Sequence, residues 1–481
     1  MLTVSRVEQH MINKGHPLFD LIDDYSFLSK NLYNHANYHI RQVFIAASRL
    51  SKDEEITERL QTFLNDINEK VDGYNKVKEE NFKKAQSKAQ SEGRQFIKVF
   101  KPLDYFGENH KYLGYDFLQF IMSDSDDYRA MMAQAAQQTL MLLDKAWISF
   151  FASIKDWKIN PDKYEGKPNL PKYKHKKNGR FNIVFTNQNC KIQGNYIVFP
   201  TCFNQFKLRT TVTGNLQQVR IKPLGSRYLL EVVYKKEVED LSEADSDKII
   251  GIDLGLNNFA TIANNIGLKP IIINGRILKS INQLYNKKLS FLKKILKKET
   301  NRDWSINQDK LTTKRNNQIK DYIHKASAYI IDYCKKWKID TIVVGNNKHL
   351  KTGIDHGDKN NQNFVSIPFL MFIEQLQYKA EENSIKCFVT EESYTSKSSF
   401  LDNDFLPVFD EKFEGIHEFS GSRIKRGLYR SSNGTLVNAD VNGAFNIIKK
   451  VFPDISADGI AGVGLNPVKI RLNKEDINFV V

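Results

Sequence analysis

Between residues 16 and 50, apolar side chains return every three to four positions, at Leu28, Leu32, Ala36, Ile40, Val43 and Ala47. That period places them on one face of an α-helix. Pro17 suits the first helical turn, where its missing N–H has no partner to lose. A second helical stretch is predicted from near Ile56 and passes into a Lys-rich segment over 76–94, the pattern of a solvated or ligand-facing surface. A third is predicted over about 129–157, with Leu140, Leu143, Trp147, Phe150, Ile154 and Trp157 on one face, a stripe that reads as core. The first 160 residues therefore read as a helical module.

At Asn160 the pattern changes. PDKYEGKPNLPKYKHKKNGR is rich in Pro, Gly and Lys and reads as a loop. Short runs follow: FNIVF, KIQGNYIVFP, FKLRTTV, LQQVRIKPL and RYLLEVVYKK, each bounded by Gly, Asn or Pro. Strands this short at this spacing predict a small barrel or sandwich. Arg209, Arg220, Lys222, Arg227 and Lys235 interrupt the apolar residues, and strand alternation turns them away from the core. The acidic stretch EVEDLSEADSDK reads as a linker ending near Lys248.

From Ile249 strands and helices alternate. IIGIDL is a buried strand, Gly255 to Asn258 a tight turn, and FATIANN and IIINGR two further strands. Residues 280–336 read as two long helices. The first has an apolar stripe of Tyr285, Leu289, Leu292 and Leu296, with Lys287, Lys293, Lys294, Lys297 and Lys298 largely on its other faces. DTIVVGN is a fourth strand, 367–382 a helix and KCFVTEE a fifth strand, and a last helix starts near Val441 in DVNGAFNIIKKVF. This order predicts a mixed α/β sheet.

Composition narrows the function. The 481 residues allow two to four domains, and 41% hydrophobic with 26% charged residues excludes a wholly disordered chain. A net charge of +15 and a pI near 9.3 point to a polyanionic partner, most commonly nucleic acid. No apolar run approaches the roughly 20 residues of a membrane span. The first residues lack the apolar core of a signal peptide, so secretion is not expected. Cys190, Cys202, Cys334 and Cys387 form no CxxC pair, which excludes a Cys-rich metal site and suits a reducing cytosol. A cytoplasmic location, nucleoid-associated in a bacterium, is expected.

Asp253 ends a buried apolar strand in GIDLG. A carboxylate there is costly to desolvate unless something compensates; a divalent cation is one candidate, and capping the turn is the plainer reading. Asp440, in NADVNGAFNII, precedes the last helix, where Asp is a favoured N-cap. Glu391 and Glu392 end the strand KCFVTEE. Singly, each has an ordinary structural explanation. Together, three acidic positions at the ends of core elements in a basic chain suit two-metal phosphodiester hydrolysis. That chemistry places carboxylates around two Mg²⁺ ions about 3.5–4 Å apart. Successive strand residues face opposite sides, so only one of Glu391 and Glu392 can point into such a site.

GIDLGLNNFATI resembles the first RuvC motif of TnpB, the transposon-encoded RNA-guided nuclease related to type V CRISPR effectors and Fanzor proteins. ESYTSK and the later NADVNGAFNIIKK resemble its closing motifs, and NLYNHANYHIRQ and KPNLPKYKHKKNGR also look like TnpB. The resemblance implies a multidomain α+β chain. Residues 1–160 would be a helical recognition lobe, whose N-terminal piece could join the next domain. Residues 161–246 would be a small wedge β-barrel. Residues 247–481 would be an RNase H-like (RuvC) α/β nuclease domain, with a target-nucleic-acid-binding insert at about 396–437. It further implies an RNA-guided DNA endonuclease of an insertion-sequence transposon, with Asp253, Glu392 and Asp440 as catalytic metal ligands for two Mg²⁺ ions. The partners would be a guide RNA derived from the transposon end and target double-stranded DNA. A monomer on RNA is favoured, and no membrane partner is expected.

Two positions depart from the family pattern. Most relatives carry a Glu after the fourth strand, where this chain has Gly345; Glu392 fits the alternative position of a rearranged subgroup, three residues before Thr395. Relatives carry two Cys pairs in the insert, where Ser398, Ser399, Ser431 and Ser432 stand here, so no structural zinc is expected. Phosphate contacts are expected from Lys172, Lys174, Lys176, Lys177 and Arg180 in the Pro-bounded loop, and from Arg209, Arg220 and Lys222 on strands. Lys293, Lys294, Lys297 and Lys298 on a helix, and Arg423, Arg426 and Arg430 before the last acid, are the other candidates. The alternative function is a nuclease-inactive RNA-guided DNA-binding protein, a repressor or targeting factor, motivated by Gly345. A strand-transferring transposase is a third reading.

Overall fold

The computed structural model describes residues 1–241, 246–300, 304–346, 367–408, 417–425, 427–455 and 466–472. They form two compact units, Thr3–Lys236 and Glu237–Val481, the second also holding Met1–Leu2.

The N-terminal unit runs β1 (Leu2–Ile12), α1 (Phe19–Leu50), α2 (Glu58–Ser91), α3 (Tyr115–Met122), α4 (Asp126–Arg129), α5 (Ala133–Ile159), then β2 (Ile183–Thr186), β3 (Lys191–Gln193), β4 (Tyr196–Val198), β5 (Lys207–Arg209), β6 (Asn215–Leu224) and β7 (Arg227–Val238). The periodic face of α1 is buried, from Leu32 through Ala47. It meets α5 at Trp147, whose buried Nε1–H donates to Asn37 Oδ1 at 3.0 Å. Thr57 starts α2 by accepting from the Leu60 N–H. The helix then continues unbroken through the Lys-rich segment.

The strands of this unit form two open sheets, ordered β1-β7-β6-β2 and β3-β4-β5. The N-terminal strand does join β7. The expected barrel, however, is not there: among the described residues no sheet closes on itself. Helices cover the apolar face instead. Tyr25 of α1 packs on Phe185 of β2 and on Phe203 at ring distances of 6.1 and 5.4 Å. Helical and strand residues thus share one core.

The C-terminal unit contains β8 (Ile249–Leu254), β9 (Asn258–Asn264), β10 (Ile271–Asn274), α6 (Arg276–Thr300), α7 (Ile306–Trp337), β11 (Thr341–Gly345), α8 (Phe369–Glu381), β12 (Lys386–Thr390), a small sheet of β13 (Ser422–Lys425), β14 (Leu428–Arg430) and β15 (Leu436–Asn438), then α9 (Ala439–Val451) and β16 (Val468–Ile470). Ser305 and Gln308 form a capping box at the start of α7. The main sheet is mixed, ordered β12-β11-β8-β9-β10-β16, with β9 antiparallel to both neighbours and the other pairs parallel. Ile250, Ile252, Ile342 and Val344 pack with α7 and α8 in one core. Ile249 and Val343 pack on the opposite face with α9.

That second face depends on Gly251. A Cβ there would collide with the Ala444 carbonyl of α9 and stand 2.5 Å from Ile448 Cγ1. Gly251→Ala should therefore destabilise the C-terminal unit by about 1–3 kcal/mol through overpacking. Urea unfolding of the full chain checks this; an unchanged midpoint would mean that α9 shifts freely on the sheet.

Candidate active site and nucleic-acid faces

Alternation along β8 sends Asp253 to the same face as Gly251, towards α9. Gly443 of α9 stands directly above it: a Cβ on Gly443 would lie 3.0 Å from Asp253 Oδ2. Asp440 occupies the first turn of α9. Its place is set by the N-cap Asn438, whose side chain accepts from the N–H groups of Asp440 and Val441 at 3.0 and 3.2 Å. The Asp440 carboxylate accepts from Asn258 Nδ2 at 2.6 Å and from Arg423 Nη2 at 3.3 Å.

Glu392 arrives from the neighbouring strand. β11 and β12 pair in parallel with Gly345 opposite Thr390, two residues before Glu392. A Cβ on Gly345 would lie 3.1 Å from Glu392 Oε2 and 2.6 Å from Ile447 Cδ1. The space that a side chain at 345 would take is therefore filled by the Glu392 carboxylate and by α9. Glu391 is committed elsewhere, to Lys450 Nζ and to the Ser393 N–H at 2.9 Å.

Asp253 feels the other two acids. Burial and the negative charges of Glu392 and Asp440 push the pKa of Asp253 well above the usual carboxylate range, while Arg423 pulls it down. Among the described residues, no three His, Cys, Asp or Glu side chains stand close enough together to hold a metal ion. Asp440 is instead turned to Asn258 and Arg423. A cleft of ≈ 970 Å³ opens beside Asp253 and Asp440, lined also by Asn257, Asn258 and Thr261 and by the cations Arg276, Arg423, Lys425 and Lys469. Glu392 lies outside that lining. Sequence reasoning missed Asn258, Arg276 and Lys469. The first looked like a turn residue, and the other two carry no local signal.

The candidate phosphate contacts fall into two groups. α1 side chains pin the backbone of the Pro-bounded loop: Asn37 and Arg41 donate to the Pro171 carbonyl, Tyr33 to that of Lys172, Asn34 to that of Lys174 and Lys30 to that of Lys176. Lys172, Lys176 and Lys177 project outward, and Lys174 is half-buried over Tyr33 and Phe181. Arg209, Lys293, Lys294, Lys297, Lys298 and Arg430 are exposed as well. Arg180, by contrast, grips Asp23 through Nε and Nη2 at 2.9 and 2.6 Å. Arg220 and Lys222 both pair with the buried Glu231, at 3.1 and 2.8 Å. Arg426 lies outside the described residues.

In the insert the serines are joined to aspartates. Ser432 donates from N and Oγ to Asp402 at 2.9 and 2.6 Å, and Asp404 accepts from Ser399 N at 2.7 Å and Ser420 Oγ at 2.6 Å. Ser398 and Ser431 are buried, and Ser431 Oγ donates to Asn433 at 2.6 Å.

Two family matches bear on this site. The family described as probable transposase, OrfB_IS605, matches residues 231–351, and the Cas12f1-like TNB domain matches residues 369–447. Both matches support a TnpB/Cas12f-like family. The first match contains Asp253 and Gly345, and the second contains Glu392 and Asp440. No curated protein matches the chain. Among solved structures, one described as a Cas12f1–sgRNA–target DNA complex is 14% identical, with 92% of this chain and 98% of that chain covered, at a TM-score of 0.30. A CRISPR-Cas12f ternary complex is 13% identical over 88% of this chain and 81% of that chain, also at 0.30.

The two groups of cations should separate by experiment. The Arg180 hydrogen bonds, opposed by partial burial and aided by Tyr228, hold Asp23 below the usual carboxylate range. Such a group stabilises the fold when ionised, and the gain is lost as pH falls through its lowered pKa. Asp23→Asn should cost about 1–2 kcal/mol at pH 7, as the pair is only partly exposed. Urea unfolding at stepwise lower pH should show the deficit narrowing below pH 3.8, the reference value. A constant deficit would contradict the ionic account.

Proposed function

We propose that this chain is an RNA-guided DNA endonuclease of the TnpB/Cas12 type, working in the cytoplasm for an insertion-sequence transposon. On this reading the C-terminal unit is an RNase H-like RuvC domain, and the N-terminal unit combines a recognition lobe with a wedge. Guide RNA from the transposon end and target double-stranded DNA are the partners. The observation that carries it is that the charges of Glu392 and Asp440, distant in sequence, both act on Asp253, with the three acids at the ends of β8 and β12 and the start of α9. The positive cleft beside them suits a polyanion.

The donor set fits magnesium. Carboxylate oxygens are the ligands such a hard cation prefers. Asp253 sits against two like charges, a placement that a divalent cation relieves. Bound there, two magnesium ions would supply positive charge to the attacking water and to the leaving oxygen. The chain supplies the positioning. Asn258 and Arg423 orient Asp440, Gly443 leaves Asp253 its room, and Gly345 leaves Glu392 its room. The insert is proposed to hold without zinc, through its Ser–Asp hydrogen bonds.

The test is Mg²⁺-dependent cleavage of a matched plasmid by the chain assembled with its guide RNA. Glu392→Gln should lower the rate at least about 100-fold, a loss of roughly 3 kcal/mol of transition-state stabilisation. Glu391→Gln should retain most of it, since Glu391 is held by Lys450. Equal losses would defeat the assignment of Glu392. Tight guided binding by the wild-type chain with no nicking would identify the nuclease-inactive targeting protein instead, the reading that Gly345 motivates.

A further inference from the structure

Asp253, Thr261, Ile272 and Lys469 stand opposite one another in register across β8, β9, β10 and β16. Directly opposed residues on neighbouring strands share a face. With strands about 4.8 Å apart, the row spans roughly 14 Å from Asp253 to Lys469. Asp253, Thr261 and Lys469 all line the ≈ 970 Å³ cleft, while Ile272 is buried in the row between them. Arg276 enters the same cleft from the start of α6, two residues beyond β10. Lys469 and Arg276 are both exposed, and among the described residues neither forms an ion pair. Arg423, at the cleft's other side, is already held by Asp440.

If the acids receive the phosphate that is cut, the chain of phosphates leaving it needs a path. The in-register row provides one: a hydroxyl at Thr261, then two cations that form no ion pair among the described residues. Nothing on this row recognises a base. Lys and Arg side chains here give backbone contacts, which position a strand without reading it. One row of cations also serves one backbone, which fits a single strand rather than a duplex.

We propose that Lys469 and Arg276 hold the phosphate backbone of single-stranded DNA a few nucleotides from the scissile phosphate, so that the strand crosses the sheet along the Asp253–Lys469 row. The assignment rests on the endonuclease reading for its orientation, but it makes a binding claim that is tested separately. They are positioning residues and touch no bond that breaks.

The experiment measures binding of a short fluorescein-labelled single-stranded DNA to the full chain in Ca²⁺, over a series of salt concentrations. Lys469→Ala and Arg276→Ala should each weaken binding roughly threefold to tenfold and lower the slope of log affinity against log salt by about 0.7, one phosphate contact each. Lys469→Arg, which keeps the charge, should restore the slope and so exclude damage to β16. Lys335→Ala, at an exposed lysine near the end of α7, should leave the slope as it was. Unchanged slopes in both alanine variants overturn the proposal, whatever the chain cuts. Lowered slopes in a chain that cleaves no guided target would leave this strand path standing and remove the endonuclease reading. In a chain that does cleave, the same variants should raise KM for the target strand more than they lower kcat.

Discussion

The C-terminal unit is organised by how closely its last helix lies on the sheet. Three glycines make that approach possible. Gly251 on β8 lies under the Ala444 carbonyl, Gly345 on β11 under Ile447, and Gly443 on α9 over the Asp253 carboxylate. A glycine within a strand ordinarily weakens it, and is found where another backbone comes near. Here two adjacent strands and the helix between them share that feature along one seam. The first turn of α9, which carries Asp440, is thereby brought to the end of β8, which carries Asp253. A side chain at 251 would press on the helix backbone itself, whereas one at 345 or 443 would crowd Ile447 and Glu392 or Asp253.

The same seam gives Gly345 its meaning. The resemblance to TnpB leads one to expect a Glu at this position, so that from sequence the glycine reads as a missing acid. The geometry describes an exchange. β11 and β12 are neighbours in parallel register, and the chain leaves β12 so that Glu392 brings its carboxylate over Gly345. A residue with a side chain at 345 and a Glu at 392 would compete for one volume. The two positions are therefore coupled. Glu391, one residue earlier, cannot take part because Lys450 of α9 holds it on a different line.

Much of this was legible in the sequence where the signal is local. The period of α1, the strands β8 to β12 and the acids at their ends follow from side-chain spacing, which the backbone repeats translate directly into faces. What was not legible depends on partners distant in the chain. The runs in 181–235 announce strands but not the layer that covers them, so a barrel was expected where helices α1 and α5 do the covering. Arg180, Arg220 and Lys222 look like free cations until Asp23 and Glu231, folded against them, take up their charge. Lys469 belongs to a three-residue strand with no pattern of its own, and only its pairing with β10 aligns it with Asp253. Asn258 reads as a turn residue until its bond to Asp440, 182 positions away, is formed.

The run DVNGAFN at the start of α9 combines small and amide residues beside one acid of the candidate site. Asp440 supplies the carboxylate and Gly443 leaves space for Asp253. Asn442 accepts from the Phe400 N–H and donates to the Ser398 carbonyl, at 3.0 and 2.8 Å. Asn446 donates to the carbonyls of Thr395 and Ser398, both at 2.8 Å. Phe445 stacks on Phe400 at 4.8 Å. One helix face thus serves the acids, and the next fastens the chain that follows Glu392. Both amides are buried, where an unpaired backbone carbonyl would cost about 1–3 kcal/mol. The contacts that tie residues 395–400 to α9 therefore also fix where Glu392 leaves β12. Asn442 and Asn446 stand one helical turn apart and so grip the same stretch of backbone.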